Sequence, residues 1–298
     1  MRLLSYNVHY FSNNFKGVLS GQQSLKDISV ALSRLNPLPD IVCFQEVEFK
    51  SLRAFRTVSQ DKAQIDTFTD AWAAVFSNQG KAFPYQSYYF PAHAYRFQNI
   101  TFYTTGLAIF VRSASFRVLE NREPFVLTGK APFKQLKQKR ICAHLLLEEM
   151  KTNKKLHVYN THFSLPSPLT KRYWVSRKKM GFGQNQALEA RRLLNYIKRT
   201  KDKTPFIVCG DFNAWPHSPV YEMLIARGQL TDIRVLLNEK EEDFVTAGFM
   251  NLRLHVDHIF SSGDIRWKNM KNTHRFGDRA SPFHGLSDHI PLIAQFEL

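Results

Sequence analysis

At 298 residues the chain is long enough to bury a substantial core, and 44% hydrophobic with 22% charged residues reads as globular, which excludes a disordered or fibrous chain. Lys and Arg number 41 against 25 Asp and Glu, a net charge of +16 that attracts polyanions: nucleic acid, anionic membrane or phosphorylated ligands. A general solubilising charge is the plainer alternative.

The elements follow in chain order. The stretch MRLLSYNVHYF has too short an apolar run for a signal peptide and reads as a strand over 2–8. Ser24 is placed to cap a helix whose apolar face is Leu25, Ile28, Leu32 and Leu35, stopped by Asn36-Pro37. Strands are expected over 41–44, 106–112, 140–147 and 156–161. A helix over 185–199 sets Ala187, Ala190, Leu194 and Ile197 on one face. A strand over 206–209 follows, then a helix started by Ser218-Pro219 and ended by Gly228, then strands over 255–261 and 290–296. No repeat or Pro/Ser-rich linker divides the chain, so one domain over 1–298 with α/β layers is expected. No apolar run approaches the roughly 20 residues of a membrane span. Cys43, Cys142 and Cys209 each sit in an apolar run, which reads as buried free thiols in a reducing compartment, without a disulfide framework or zinc spacing. A cytoplasmic location is the expectation, unless a leader has been removed.

Polar residues stand at the strand ends: Asn7, Glu46, His162, Asp211 and Asp257. Five of them fit a site gathered at a sheet edge. Gly210-Asp211-Phe212-Asn213 follows a buried strand, and extended backbone would put Asp211 and Asn213 on one face to orient a water or a phosphate oxygen. An Asx turn explains the same residues without function. Ser287-Asp288-His289 sets a carboxylate beside an imidazole, which also suits an ordinary surface turn. Asp257, in the apolar strand VDHIF, is costly unless paired, and an imidazole is its natural partner. Glu46 is a hard oxygen donor suited to magnesium, or a charge at the N-terminus of a following helix.

The order SYN, QE, NTH, GDFN, VDHIF and SDH resembles the endonuclease/exonuclease/phosphatase superfamily from Leu3 to Phe296. That superfamily includes pancreatic-type deoxyribonucleases, apurinic endonucleases, deadenylases, inositol-polyphosphate 5-phosphatases and neutral sphingomyelinases. GDFNAWPHSPVYEML looks most like the deadenylase and general exonuclease branch. The resemblance implies a four-layer sandwich, two facing mixed sheets flanked by helices. It implies that Glu46 ligates a divalent metal with Asp288 and Asn7 close by, and that Asp211 and Asn213 position water and the scissile phosphate. His289, paired with Asp257, and His162 would contact phosphoryl oxygens or shuttle a proton, and the family leaves the general base open. Arg140 sits near a family phosphate-binding arginine, and Tyr103 resembles a family tyrosine that touches phosphate; a strand-edge charge and a core aromatic are the alternatives. Oxygen ligands without cysteine favour Mg²⁺ or Mn²⁺ over Zn²⁺.

Two regions bear on the substrate. Tyr85, Tyr88, Tyr89, Phe90, Tyr95, Phe97, Phe102 and Tyr103 form an aromatic run, and Lys171, Arg172, Tyr173, Trp174, Arg177, Lys178 and Lys179 interleave cations with rings. Such patterns suit single-stranded nucleic acid, an anionic phospholipid surface as the second choice, and core packing or a solvated loop as the plain readings. The expectation is a metal-dependent phosphodiester hydrolase acting on DNA or RNA, with a phospholipid or inositol-phosphate headgroup as the alternative substrate and no protein partner. A binding protein that kept the fold and lost catalysis is disfavoured, because each motif retains a competent side chain.

Overall fold

A computed structural model describes residues 1–11, 21–48, 63–97, 100–129, 138–166, 180–241, 244–249 and 252–298. Six strands form a first sheet: β1 (Arg2–Asn7), β2 (Ile41–Val47), β3 (Tyr85–Phe97), β4 (Ile100–Arg112), β13 (Arg266–Asn272) and β14 (Leu292–Glu297), in the order β13-β14-β1-β2-β4-β3. Six more form the second: β5 (Phe116–Val126), β6 (Ile141–Glu149), β7 (Lys155–His162), β8 (Phe206–Asp211), β9 (Thr231–Asp232) and β12 (Asp257–Ser261), in the order β5-β6-β7-β8-β12-β9. β10 (Ala247–Phe249) and β11 (Leu252–Leu254) pair antiparallel outside the two sheets, and Ala247 bridges His289. Both sheets are mixed. Each holds one parallel pair at its centre, β1 with β2 and β7 with β8.

The alternation of side chains along each strand builds three apolar layers. Between the sheets lie Leu3, Ile41, Cys43, Ile109, Val158, Ile207, Cys209 and Ile259. Outside the first sheet, α1 (Gly21–Ser33) and α2 (Gln64–Ser77) pack Leu25, Ile28, Leu32, Phe68 and Trp72 onto Val42, Phe44 and Phe110. Each buried Phe of that stack contributes about 2 kcal/mol of apolar transfer. Outside the second, α3 (Gln184–Thr200) packs Ala190, Leu193 and Ile197 onto Cys142, Tyr159 and Val208. The result is the expected four-layer sandwich. Among the described residues no helix is long and apolar enough to cross a membrane.

Several local expectations shift. α1 begins at Gly21, so Ser24 is an interior, buried residue and not the cap. The buried stripe of α3 runs through Ala190, Leu193, Tyr196 and Ile197, leaving Ala187 and Leu194 half-buried at its margin. Ser218 does cap its helix, accepting from the Tyr221 N–H, and Pro219 follows at the first turn. Tyr85 stacks on Trp72 and Phe90 lies in the inter-sheet core, so these two rings of the aromatic run are packing residues. The cationic segment from Lys171 to Lys179 lies outside the described residues. All three thiols are buried and free, as expected.

The inner rows explain where the polar residues go. They read Leu3, Ser5, Asn7 in β1; Ile41, Cys43, Gln45 in β2; Val158, Asn160, His162 in β7; and Ile207, Cys209, Asp211 in β8. In β12, which runs the other way, Asp257 precedes Ile259. Apolar side chains fill the middle of the sandwich and polar ones close one end.

Candidate active site

Register sets three side chains in a row. His162 lies beside Asp211 in the parallel β7–β8 pair, and Asp211 beside Asp257 in the antiparallel β8–β12 pair. Gly210 permits the first neighbourhood: its φ is +140°, and a Cβ there would meet the Thr161 carbonyl oxygen at 1.9 Å. Only glycine lets the two strands approach so closely. Asn213 reaches Asp211 through the Asx turn, the plainer alternative, and not along extended backbone. The strand ends at Asp211 and Asn213 takes φ 47°, a left-handed conformation that Asn tolerates. Its N–H donates to Asp211 Oδ1 at 2.9 Å and its Nδ2 to the Phe163 carbonyl at 3.0 Å. GDFN is therefore an Asx turn and part of the cluster at once.

The first sheet and the segment before β14 supply the rest. Asn7 Nδ2 donates to Asp211 Oδ2 at 3.1 Å and stands 3.5 Å from His289 Nε2. Glu46 sits in a β-bulge with φ 57°, its Oε1 3.7 Å from His162 Nε2. His289 Nδ1 meets Asp257 Oδ2 at 2.8 Å, so the expected carboxylate–imidazole pair is present. Asp288 is on the outer rim, with its carboxylate 3.6 Å from His9 Nδ1. Arg140 Nη1 donates to His162 Nδ1 at 3.0 Å, which leaves His162 Nε2 carrying its hydrogen toward Asp211 Oδ2, 3.4 Å away. Arg140 thus holds an imidazole in this structure. Tyr103 falls in β4 opposite Tyr95, and its side chain is outside the described residues.

Charge states diverge within this small volume. Burial, then the Arg140 and His289 charges, hold the His162 imidazole well below its ordinary value, so it is neutral. Burial opposes charge on His289 too, but the Asp257 carboxylate and its hydrogen bond, with Asp211 and Asp288 behind, push that imidazole well above it. Burial and the Asp257 charge raise the Asp211 carboxyl above the usual carboxylate range, against the pull of His289 and the Asn213 N–H. Asp211, Asp257 and His289 each bring a ligand atom within 4.8 Å of the others, all three buried. The Asp257 and Glu46 charges both raise Asp211, so carboxylate oxygens crowd this end of the sandwich, and with no thiol among them they suit a hard divalent cation.

The family profile of the endonuclease/exonuclease/phosphatase family matches residues 4–289. The chain belongs to that family. Its members are phosphoester hydrolases. Among solved structures, the human Nocturnin catalytic domain with bound sulfate is 20% identical, with all of this chain and 94% of that one aligned at a TM-score of 0.66. A mannosyl-6-phosphatase from Bacteroides thetaiotaomicron is 18% identical over the whole of both chains at 0.65. ANGEL2, a 2',3'-cyclic phosphatase in complex with adenosine-2',3'-vanadate, is 16% identical over 99% of this chain and 94% of its own at 0.68. These likenesses establish the fold. A search of curated proteins finds no sequence match.

Two residues have supporting roles that the sequence did not assign, Ser287 of the SDH motif and Thr246. Ser287 Oγ donates to the Asn7 carbonyl at 2.8 Å and accepts from the His289 N–H at 3.1 Å, tying the two sides of the site together. Its position two residues before His289 is the signal for such a turn. Thr246 Oγ1 accepts from the Val256 and Asp257 N–H groups at 3.1 Å, and no local pattern marks it.

Proposed function

We propose that the chain is a Mg²⁺- or Mn²⁺-dependent phosphodiester hydrolase acting on single-stranded nucleic acid. The observation that carries the chemistry is Asp211 Oδ2, met by Asn7 at 3.1 Å, His162 at 3.4 Å, Asn213 at 3.5 Å and His289 at 3.8 Å. Glu46, Asp288 and Asn7 are the oxygen donors assigned to the ion. A divalent ion held there would supply charge compensation for the phosphodiester and its leaving oxygen. Asp211, an acceptor among donors, takes the proton of the attacking water, which Asn213 orients. His162 and His289 present Nε2–H groups to the phosphoryl oxygens, and these are hydrogen bonds that strengthen as charge builds in the transition state. Arg140 fixes His162 in its Nε2–H tautomer, and Asp257 holds His289 as the imidazolium, whose Nε2–H stays available while Nδ1–H is donated to the carboxylate.

Nucleic acid is favoured by the net charge of +16 and by the cations from Lys171 to Lys179, nine residues after His162 at the nearest (171 − 162). A polymer meets several such charges at once, and its affinity then falls linearly with the logarithm of salt concentration. The adenosine-2',3'-vanadate in ANGEL2 shows that a protein with this fold holds a nucleoside phosphate analogue. The test is turnover of single-stranded DNA and RNA against sphingomyelin and phosphoinositide vesicles at one Mg²⁺ concentration. Cleavage of oligonucleotide is expected. Lipid cleavage with the oligonucleotide left whole overturns the substrate assignment.

A further inference from the structure

Behind the site, one buried side chain of the second sheet reaches into the backbone of the first. Asn160 lies two residues before His162 on the same inner row. Its Oδ1 accepts from Gln45 Nε2 at 2.8 Å. Its Nδ2 donates to the Phe44 carbonyl at 2.9 Å and to the Ala108 carbonyl at 3.2 Å. Phe44 and Ala108 are opposed residues of β2 and β4, at the last regular rung before the bulge. The next pair is Val47 with Gly106, so Gln45 and Glu46 together face Leu107 alone. A bulge of this kind interrupts the ladder and bends the strand. Here it carries Glu46 at φ 57°, a conformation that costs a non-glycine residue on the order of 1 kcal/mol or more unless the surroundings enforce it.

We infer that Asn160 is a positioning residue that clamps this bulge and thereby aims Glu46 at the site, an assignment that rests on Glu46 holding the metal. All three hydrogen-bonding capacities used by its amide end on β2 or β4 at the bulge. The same bonds set the spacing of the two sheets one step below the 3.7 Å approach of Glu46 to His162. Asn160 touches no reacting atom. Its influence is on where the Glu46 carboxylate stands.

The test compares Asn160→Leu, the double replacement Gln45→Met with Asn160→Leu, and Thr161→Val. The double variant removes the Gln45–Asn160 pair together, so less buried polar surface is stranded if the single variant fails to fold. Thr161 Oγ1 donates to the Ile141 carbonyl within the second sheet, so its loss removes a buried hydrogen bond without touching the bulge. Hydrogen exchange of residues 44–48 and 104–108 is read by mass spectrometry, and Mg²⁺ affinity by calorimetry. The clamp predicts faster exchange confined to those segments and Mg²⁺ binding weaker by about tenfold, the scale of lost outer-shell support. It also predicts turnover partly rescued at saturating Mg²⁺, and near-normal exchange and Mg²⁺ binding in Thr161→Val. Unchanged exchange at 44–48 overturns the clamp, as does an equal loss of Mg²⁺ affinity in Thr161→Val. If the intact chain binds no Mg²⁺, the metal reading falls, and exchange at the bulge alone decides whether Asn160 holds it.

Discussion

Two histidine groups, one on the outer face of the second sheet and one at the site, are made different by their surroundings. On the outer face of the second sheet, His144 Nε2 meets His157 Nδ1 at 2.8 Å, His144 Nδ1 meets the Tyr196 hydroxyl at 3.1 Å, and Tyr159 stacks on the His144 ring. Burial first, then the charges of His157 and Arg122, lowers His144 to about 3. At the site, His289 in the segment before β14 is buried as well, yet three carboxylates push it the other way. Burial of an imidazole therefore marks nothing by itself. What separates the site from the packing cluster is the acid placed beside the ring, and the strand register decides where that acid stands.

The largest expected effect tests the charged member of the comparison. His289→Ala and Asp257→Ala should each lower kcat by about 10²-fold or more. Because the two act through one hydrogen bond, the double variant should be little worse than either single. Cleanly multiplicative losses in steady-state kinetics break the pairing. Arg140→Gln should cost less, about tenfold in kcat, since it frees the His162 ring without removing it. A fall in substrate affinity with kcat unchanged would instead make Arg140 a phosphate-binding residue.

The neutral member is tested by acid. The unfolded chain protonates His144 near pH 6.5, and the fold does so only near 3. Its contribution is complete above pH 6.5 and is lost as pH falls through that window, at about 1.4 kcal/mol per pH unit for one proton. His157, lowered by burial, adds in the same direction. His144→Gln should flatten the slope of unfolding free energy between pH 6 and 4 by about that amount. An unchanged slope in denaturant titrations means the ring is protonated in the fold. The smallest effect concerns the thiols. Burial raises Cys43 and Cys142, and thiol titration of the native protein should be slow with activity retained. Rapid modification would place at least one thiol at the surface.

Much of the site was legible because the inner rows end in polar residues: an apolar strand closing on Asn7, His162 or Asp211 announces both its buried face and the residue at its rim. The Asp257–His289 partnership was legible from the cost of a carboxylate in an apolar strand. The route of Asn213 was legible only as the Asx-turn alternative, because two-residue spacing implies a shared face only while the backbone stays extended, and Gly210 with Asn213 ends that. The edge strands β5 and β13 were missed for a physical reason. Their burial is intermittent and their sequences charged, so neither shows clean alternation. α2 was missed although Ile65, Phe68, Trp72 and Phe76 recur at helical spacing, a signal that could have found it. Asn160 acts across long sequence separations, and Thr246 across a strand pairing, that no local pattern records.

The central claim is that this acid and imidazole cluster hydrolyses phosphodiesters with a divalent ion held through Glu46. Its most direct test is turnover of bis(p-nitrophenyl) phosphate by the intact chain and by Glu46→Ala, first in excess chelator and then across a Mg²⁺ titration. The claim predicts no turnover in chelator, full recovery of the intact chain with Mg²⁺, and a Glu46→Ala curve displaced to higher Mg²⁺ with a lower plateau. Full turnover in excess chelator would contradict it.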